Sequence, residues 1–198
     1  TSGCRGILAG GYSPSATINT IDYFNISTTG NAIDFGDQTT PRMDNAGCSG
    51  SRTRGMFGGG YFPSGTVRYN TIEYVTIAQT GNAIDFGDLT RTSNALVNFS
   101  SATRAMFAGG YWPSNNRTNI IDYVTITSTG NAIDWGDLDQ QTRNPGSCAS
   151  PTRGIIAGGN STPDPNGIGN HILYVTIATT GTAGNFGDLT SARQTPYG

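Results

Sequence analysis

TRGMFGGGY at residues 53–61, followed by NTIEYVTIAQTGNAIDFGDLT at residues 70–90, decides how this chain folds. Arg54–Phe57 opens a short apolar strand, and Gly59 and Gly60 end it, because glycine opens bends that other residues resist. In residues 70–78, Ile72, Tyr74 and Thr76 alternate with Glu73, Val75 and Ile77. Apolar side chains therefore fall on both faces, and the strand is expected to be covered on both. Thr80, Gly81 and Asn82 read as a hairpin turn, since Gly and Asn tolerate positive φ. Residues 83–86 begin another strand, which Gly87 and Asp88 close; upstream, residues 42–49 (RMDNAGCS) read as a weak strand of small residues. With residues 62–69 as the longest loop, the four strands make an antiparallel meander.

This unit recurs through the chain. Arg-Gly or Arg-Ala opens each copy at Arg5, Arg54, Arg104 and Arg153, with spacings of 49, 50 and 49. Paired glycines follow at Gly10, Gly59, Gly109 and Gly158, and each copy closes on Gly36-Asp37, Gly87-Asp88, Gly136-Asp137 or Gly187-Asp188. A period near 50 built only of strand and turn signals predicts an all-β β-propeller. The expectation is one domain over residues 1–198, with four blades of four antiparallel strands and repeats at about 5–53, 54–103, 104–152 and 153–198. Arg193 to Gly198 and Thr1 to Arg5 make ten steps across the join (five, one and four), as many as from Arg143 to Arg153. The C-terminal RQTPYG is thus expected to supply strand 1 to the N-terminal blade and close the ring, which removes an open sheet edge. Asn45, Ala46, Gly47, Asn94, Ala95, Asn144, Pro145 and Gly146 are small enough to crowd a narrow axis.

Four strands per unit, the second ending in Gly-Gly and the third carrying an aromatic, resemble the kelch motif across all four copies. The Trp usual near the end of a kelch repeat is missing; Trp135 alone stands there, where other copies have Phe35, Phe86 and Phe186. The pattern TRGxxxGGY…NTIDYVTIxxTGNAxDFGDLT is also similar to repeats in virion and tail-associated proteins of marine bacteriophages. That resemblance implies a virion or extracellular location and a role in adhesion or assembly.

In a meander, alternate turns lie at opposite ends. The strand 1–2 and 3–4 turns scarcely change between copies and read as architecture, whereas the 2–3 loops YSPSATI, YFPSGTVRY, YWPSNNRT and NSTPDPNGIG all differ. Divergent loops at one end read as a recognition surface. Candidate ligand-binding residues are Phe62, Arg68, Tyr69, Tyr111, Trp112, Asn115, Asn116 and Arg117, since aromatic rings beside Asn and Arg suit a saccharide or a protein. Tyr12, Tyr61 and Tyr111 repeat in position, which points to packing between units.

Other chemistry is poorly represented. The 198 residues carry a net charge of -2 and only 12 % charged residues, every basic one an Arg. That leaves no footprint for nucleic acid. No apolar run approaches the roughly 20 residues of a membrane span. Cys4, Cys48 and Cys148 fit no metal spacing and read as small buried residues. The repeated pairs Asp34/Asp37, Asp85/Asp88 and Asp134/Asp137 read as turn acids that bond their own backbone, not as calcium ligands. His171, the only His, has no acid or thiol partner in sequence, and Glu73 is the only Glu. The arginines that open each copy are expected to tie carbonyls or acids of the next unit. No cofactor and no metal are expected. The reading is a non-catalytic binding or structural module whose partner is a host-surface glycan or another virion protein, with self-association open. A lectin-type propeller is the alternative. A propeller glycosidase or lyase needs unique central acids, which no copy provides. The fourth copy departs most, with Leu173 in place of an acid and a longer 2–3 loop.

Overall fold

The computed structural model describes residues 5–64, 66–112, 116–162 and 167–194, the side chains of Cys48 and Ser49 apart. Among them the regular structure is strand throughout, with no helix. Units 2 and 4 are four-stranded antiparallel meanders, and unit 3 is the same meander widened by Tyr111–Trp112, Asn160–Thr162 and Gly181–Thr182, the last of them parallel, into a seven-stranded sheet. Unit 2 runs Ala46–Gly50, Arg54–Gly58, Thr71–Thr76, Ile84–Asp88; unit 3 runs Val97–Ser100, Arg104–Ala108, Asn116–Thr125, Ile133–Arg143; unit 4 runs Gly146–Ala149, Arg153–Ala157, His171–Thr176, Gly184–Asp188. Unit 1 has three strands, Arg5–Tyr12, Thr17–Asn25 and Ile33–Asp37. The tail expected to complete it lies, beyond Gln194, outside the described residues, as does Thr1.

A bulge in each unit aims its core aromatic. Ile21 pairs with Gly36 and Asp22 with Asp34, which leaves Phe35 as the extra residue. The same slip isolates Phe86, Trp135 and Phe186. An extra residue bends a strand and turns its side chain, and in units 1 to 3 it sends the ring towards the next sheet. The first acid of each pair behaves as expected: Asp34, Asp85 and Asp134 each accept a hydrogen bond from the amide of Gly36, Gly87 and Gly136, at 3.0, 3.2 and 2.8 Å.

Consecutive sheets pack face to face over three apolar cores. Ile21 and Phe35 meet Phe57, Val75 and Ala83 between units 1 and 2. Met56, Ile72 and Phe86 meet Phe107, Val124 and Ile126 between units 2 and 3. Met106, Ile121 and Trp135 meet Ile156, Val175 and Ile177 between units 3 and 4. Polar contacts repeat around each core. Ala83, Ala132 and Ala183 donate their amides to Asp37, Asp88 and Asp137 carbonyls at 2.8, 2.7 and 2.8 Å. Asn82 and Asn131 accept from the amides of Asp37 and Asp88 through Oδ1, each at 3.1 Å. Arg5, Arg54 and Arg104 lie over Tyr23, Tyr74 and Tyr123 of their own units, at 4.6, 4.5 and 4.3 Å. Each then donates to a carbonyl of the next unit, that of Ile77, Ile126 or Ile177, at 2.7, 2.6 and 2.7 Å. The opening arginines are therefore structural ties, as their repetition implies.

The first strands of units 2, 3 and 4 meet along one edge. Ala95 donates its amide to the Asp44 carbonyl and Asn144 donates to that of Ala95, at 2.9 and 2.8 Å. These three residues all take positive φ, at 53, 57 and 50°. Asp and Asn tolerate that region, but alanine pays roughly 1–2 kcal/mol for it. Ala95→Asn is therefore expected to stabilise the fold by about 1 kcal/mol, read as a higher urea midpoint at unchanged slope.

Some details differ from the sequence reading. Residues 42–45 are not regular strand: Met43 makes an isolated bridge to Tyr61, and the strand starts at Ala46. The loop of residues 62–69 contains a small hairpin, Tyr61–Phe62 against Val67–Arg68. Cys148 is exposed and free rather than buried, because its strand sits at the inner edge, where no further sheet covers it.

Candidate functional site: the divergent-loop end

The junction loops bury the most unusual polar groups. Arg42 and Glu73 are both fully buried and paired at 2.5 Å. Arg42 also donates to the carbonyls of Gly59 and Thr71 at 3.0 and 3.3 Å. The hydroxyl and amide of Thr39 both donate to Glu73 Oε1. At the next junction Thr90 gives Asp122 the same pair of bonds, at 2.8 Å from the hydroxyl and 3.1 Å from the amide. Burial raises the Asp122 pKa against the pull of Thr90 and Arg91. Burial likewise lowers the pKa of Arg91, and Asp122, Asp134 and Asp137 oppose that shift. These acids are held by protein donors and serve the junctions.

The divergent loops lie beside these junctions. Aromatic and cationic residues alternate there across units 2 and 3. Arg68 lies over Tyr61 and over Tyr111, at 5.2 Å from each, and Arg143 lies over the other approach to Tyr111 at 4.4 Å. Arg68 also donates to Asn94 Oδ1 at 2.8 Å. Such cation–aromatic contacts are worth about 0.5–1 kcal/mol each where exposed, and together they stiffen this end. Tyr111 and Tyr61 thus pack between units, whereas Tyr12 is exposed. Next to this ladder, Trp112, Asn116, Arg117, Asn119 and Gln141 line a groove of about 620 Å³. Trp112 pairs with Asn116 and Tyr111 with Arg117 in a short strand addition. Arg117 is fixed by donating to Asn160 Oδ1 at 2.6 Å, and Arg91 sits behind the Trp112 ring at 5.9 Å.

Of the sequence candidates, Trp112, Asn116 and Arg117 come together in the groove. Arg68 and Tyr111 belong to the ladder beside it. Phe62 pairs with Val67 in its own hairpin, and Tyr69 packs against Arg42 at 5.6 Å. Asn115 lies outside the described residues. Asn119, Gln141 and Arg143 were not singled out from the sequence. Gln141 and Arg143 carry a signal, since strand 4 to strand 1 connections emerge at the same end as the 2–3 loops, and Asn119 lies in the strand that continues the 2–3 loop.

The opposite end has a broader depression of about 690 Å³, lined by the invariant turns at Ser51, Ser101 and Ser150 with Arg5 and Arg52. Those serines accept from their own turn amides, as Ser51 does from Thr53 and Arg54 at 3.2 and 3.3 Å. Among the described residues no group of three or more His, Cys, Asp or Glu side chains could hold a metal ion, and no helix is long and apolar enough to cross a membrane. No family model matches the chain, and no curated protein does.

Proposed function

We propose that the four sheets are blades of a kelch-like β-propeller, and that the chain is a non-catalytic binding or structural module. In this reading the tail Arg193–Gly198 supplies the inner strand of an N-terminal blade. The module is an exposed virion component, used in adhesion or assembly through the end that carries the divergent loops. The observation that carries this is the groove at Trp112, where a ring 46 % exposed stands beside the amides of Asn116, Asn119 and Gln141 and the Arg117 guanidinium, which Asn160 holds. A pre-fixed aromatic platform binds without paying to order itself. Asp34, Asp85 and Asp134 are committed to turns and Glu73 and Asp122 to junctions, which supports binding over catalysis.

A lectin-type use of the same groove is the second reading, favoured by the amides of Asn116, Asn119 and Gln141 around the Trp112 ring. A glycan array tests both. Hits that Trp112→Ala weakens about thirtyfold, ~2 kcal/mol for an aromatic anchor, make the ligand a saccharide. An array without hits, together with retention of the chain on purified virion proteins, makes the partner a protein. Binding unaffected by Trp112→Ala in both formats overturns the assignment of this groove.

A further inference from the structure

We propose that the outer face of unit 4 docks head to tail on the open face of unit 1 of a second copy of this chain, so that two copies complete one ring of eight sheets. The inference rests on the propeller reading of the sheets and is independent of the groove at Trp112.

The junctions between units 1 and 2 and between units 2 and 3 are assembled from one kit. The earlier unit offers its bulge aromatic, the backbone of its closing Asp, and a Thr two residues beyond that Asp. The later unit offers an apolar strand residue, a Gly-Asn-Ala turn, and an acid in its third strand. Unit 4 presents the first set again, in Phe186, Asp188 and Thr190, together with Arg153 over Tyr174 at 4.6 Å. Unit 1 presents the second set, in Leu8, Gly30, Asn31, Ala32 and Asp22, with Ile26 as the matching carbonyl.

Both sets face water. Phe186 is 57 % exposed, where Phe35, Phe86 and Trp135 are at 2, 3 and 4 %. Leu8 is 63 % exposed, where Phe57, Phe107 and Ile156 are at 1, 2 and 2 %; Ile26 is 66 % exposed. A methyl group added at Gly36 or Gly87 runs into the next unit's turn, at Gly81 or Gly130, but one added at Gly187 meets nothing within 4 Å.

What covers these faces is indicated by which residues changed. Between units 3 and 4 both sides of the kit were altered together: Asp139 replaces the Thr, Leu173 the acid, and Thr182 the turn Asn. Thr190 and Asp22 keep the Thr–acid match, and Asp188 and Asn31 keep the amide–Asn match. The exposed faces are therefore complementary to each other. Two different faces form a heterologous contact, which closes as a ring or runs on. Propellers close with up to about eight blades, the number two copies provide.

Light scattering over a concentration series is expected to give a particle of twice 20.7 kDa. Thr190→Asp sets a carboxylate against Asp22 and is expected to raise the dimer dissociation constant about 100-fold. Adding Asp22→Thr to the same chain exchanges the partners and restores the dimer, which a purely local role for either residue does not predict. Phe186→Asp, with unchanged circular dichroism, also gives a monomer. A wild-type chain that stays monomeric at every concentration overturns the proposal, whether its own unit 1 covers unit 4 or nothing does. A ladder of species beyond two copies overturns the closed ring.

Discussion

Arg42→Ala is expected to cost about 3–5 kcal/mol of folding stability, the range for leaving a buried charge without its partner. The variant strands Glu73 in a junction where both side chains are fully buried, with only Thr39 still donating to it. It also leaves the carbonyls of Gly59 and Thr71 without the guanidinium that serves them. Chemical denaturation checks the loss. The other junctions show how it can be relieved. Where unit 1 has Arg42, unit 2 has Ser93, and the acid at the place of Glu73 in unit 3 is Asp122, one carbon shorter, bonded by Thr90 and opposed by the charge of Arg91, whose counterpart in unit 1 is Thr40. Arg42→Ser with Glu73→Asp and Thr40→Arg therefore transplants a solution the chain already uses. The triple variant is expected to recover at least half of the loss, and a triple variant no better than Arg42→Ala would refute the equivalence of the two junctions.

Gly87→Ala is expected to cost about 4 kcal/mol, combining a backbone conformation that only glycine adopts easily with an overpacked contact. Gly87 sits at φ 145°, and the added methyl group runs into the carbonyl of Gly130 in the next unit. Both sides of that clash are main chain, so neither can rotate away. Gly187→Ala is the control. Its φ is 144°, but no atom lies within 4 Å of the added carbon, so only the conformational cost of about 1–3 kcal/mol applies. Paired thermal melts read the difference as the price of approach between neighbouring sheets.

The meander and its turns were legible because their signals are local. Alternation in residues 70–78, the Gly-Asn turn at Gly81 and the Gly-Asp stop at Gly87 each specify backbone geometry within a few residues. Repetition then separated architecture from variation, so that Arg54 and Asp85 were read as structural and Trp112 as a candidate. What escaped notice depends on contacts more distant in sequence. Arg42 and Glu73 are 31 positions apart by their numbers, and nothing around either announces an ion pair. Glu73 drew attention only as the one Glu in the chain. The small hairpin at Phe62 escaped because two-residue strands carry no periodicity. Cys148 was misplaced because its residue type suggested burial, while its exposure is set by the strand's position at the inner edge.

The three internal seams share hydrogen-bond donors and acceptors at matching places, and this bears on how such a chain can evolve. Loss of the whole second repeat, 50 residues by the arginine spacing, joins unit 1 to unit 3 with Thr39 facing Asp122 and the Asp37 amide facing Asn131, surfaces that still recognise each other. Insertions within a strand shift its register and misalign its seam, whereas the longer 2–3 loop of the fourth copy leaves the seam with unit 3 in place. Natural length variants of this chain should therefore differ by whole repeats, while the groove-bearing loops drift freely in between.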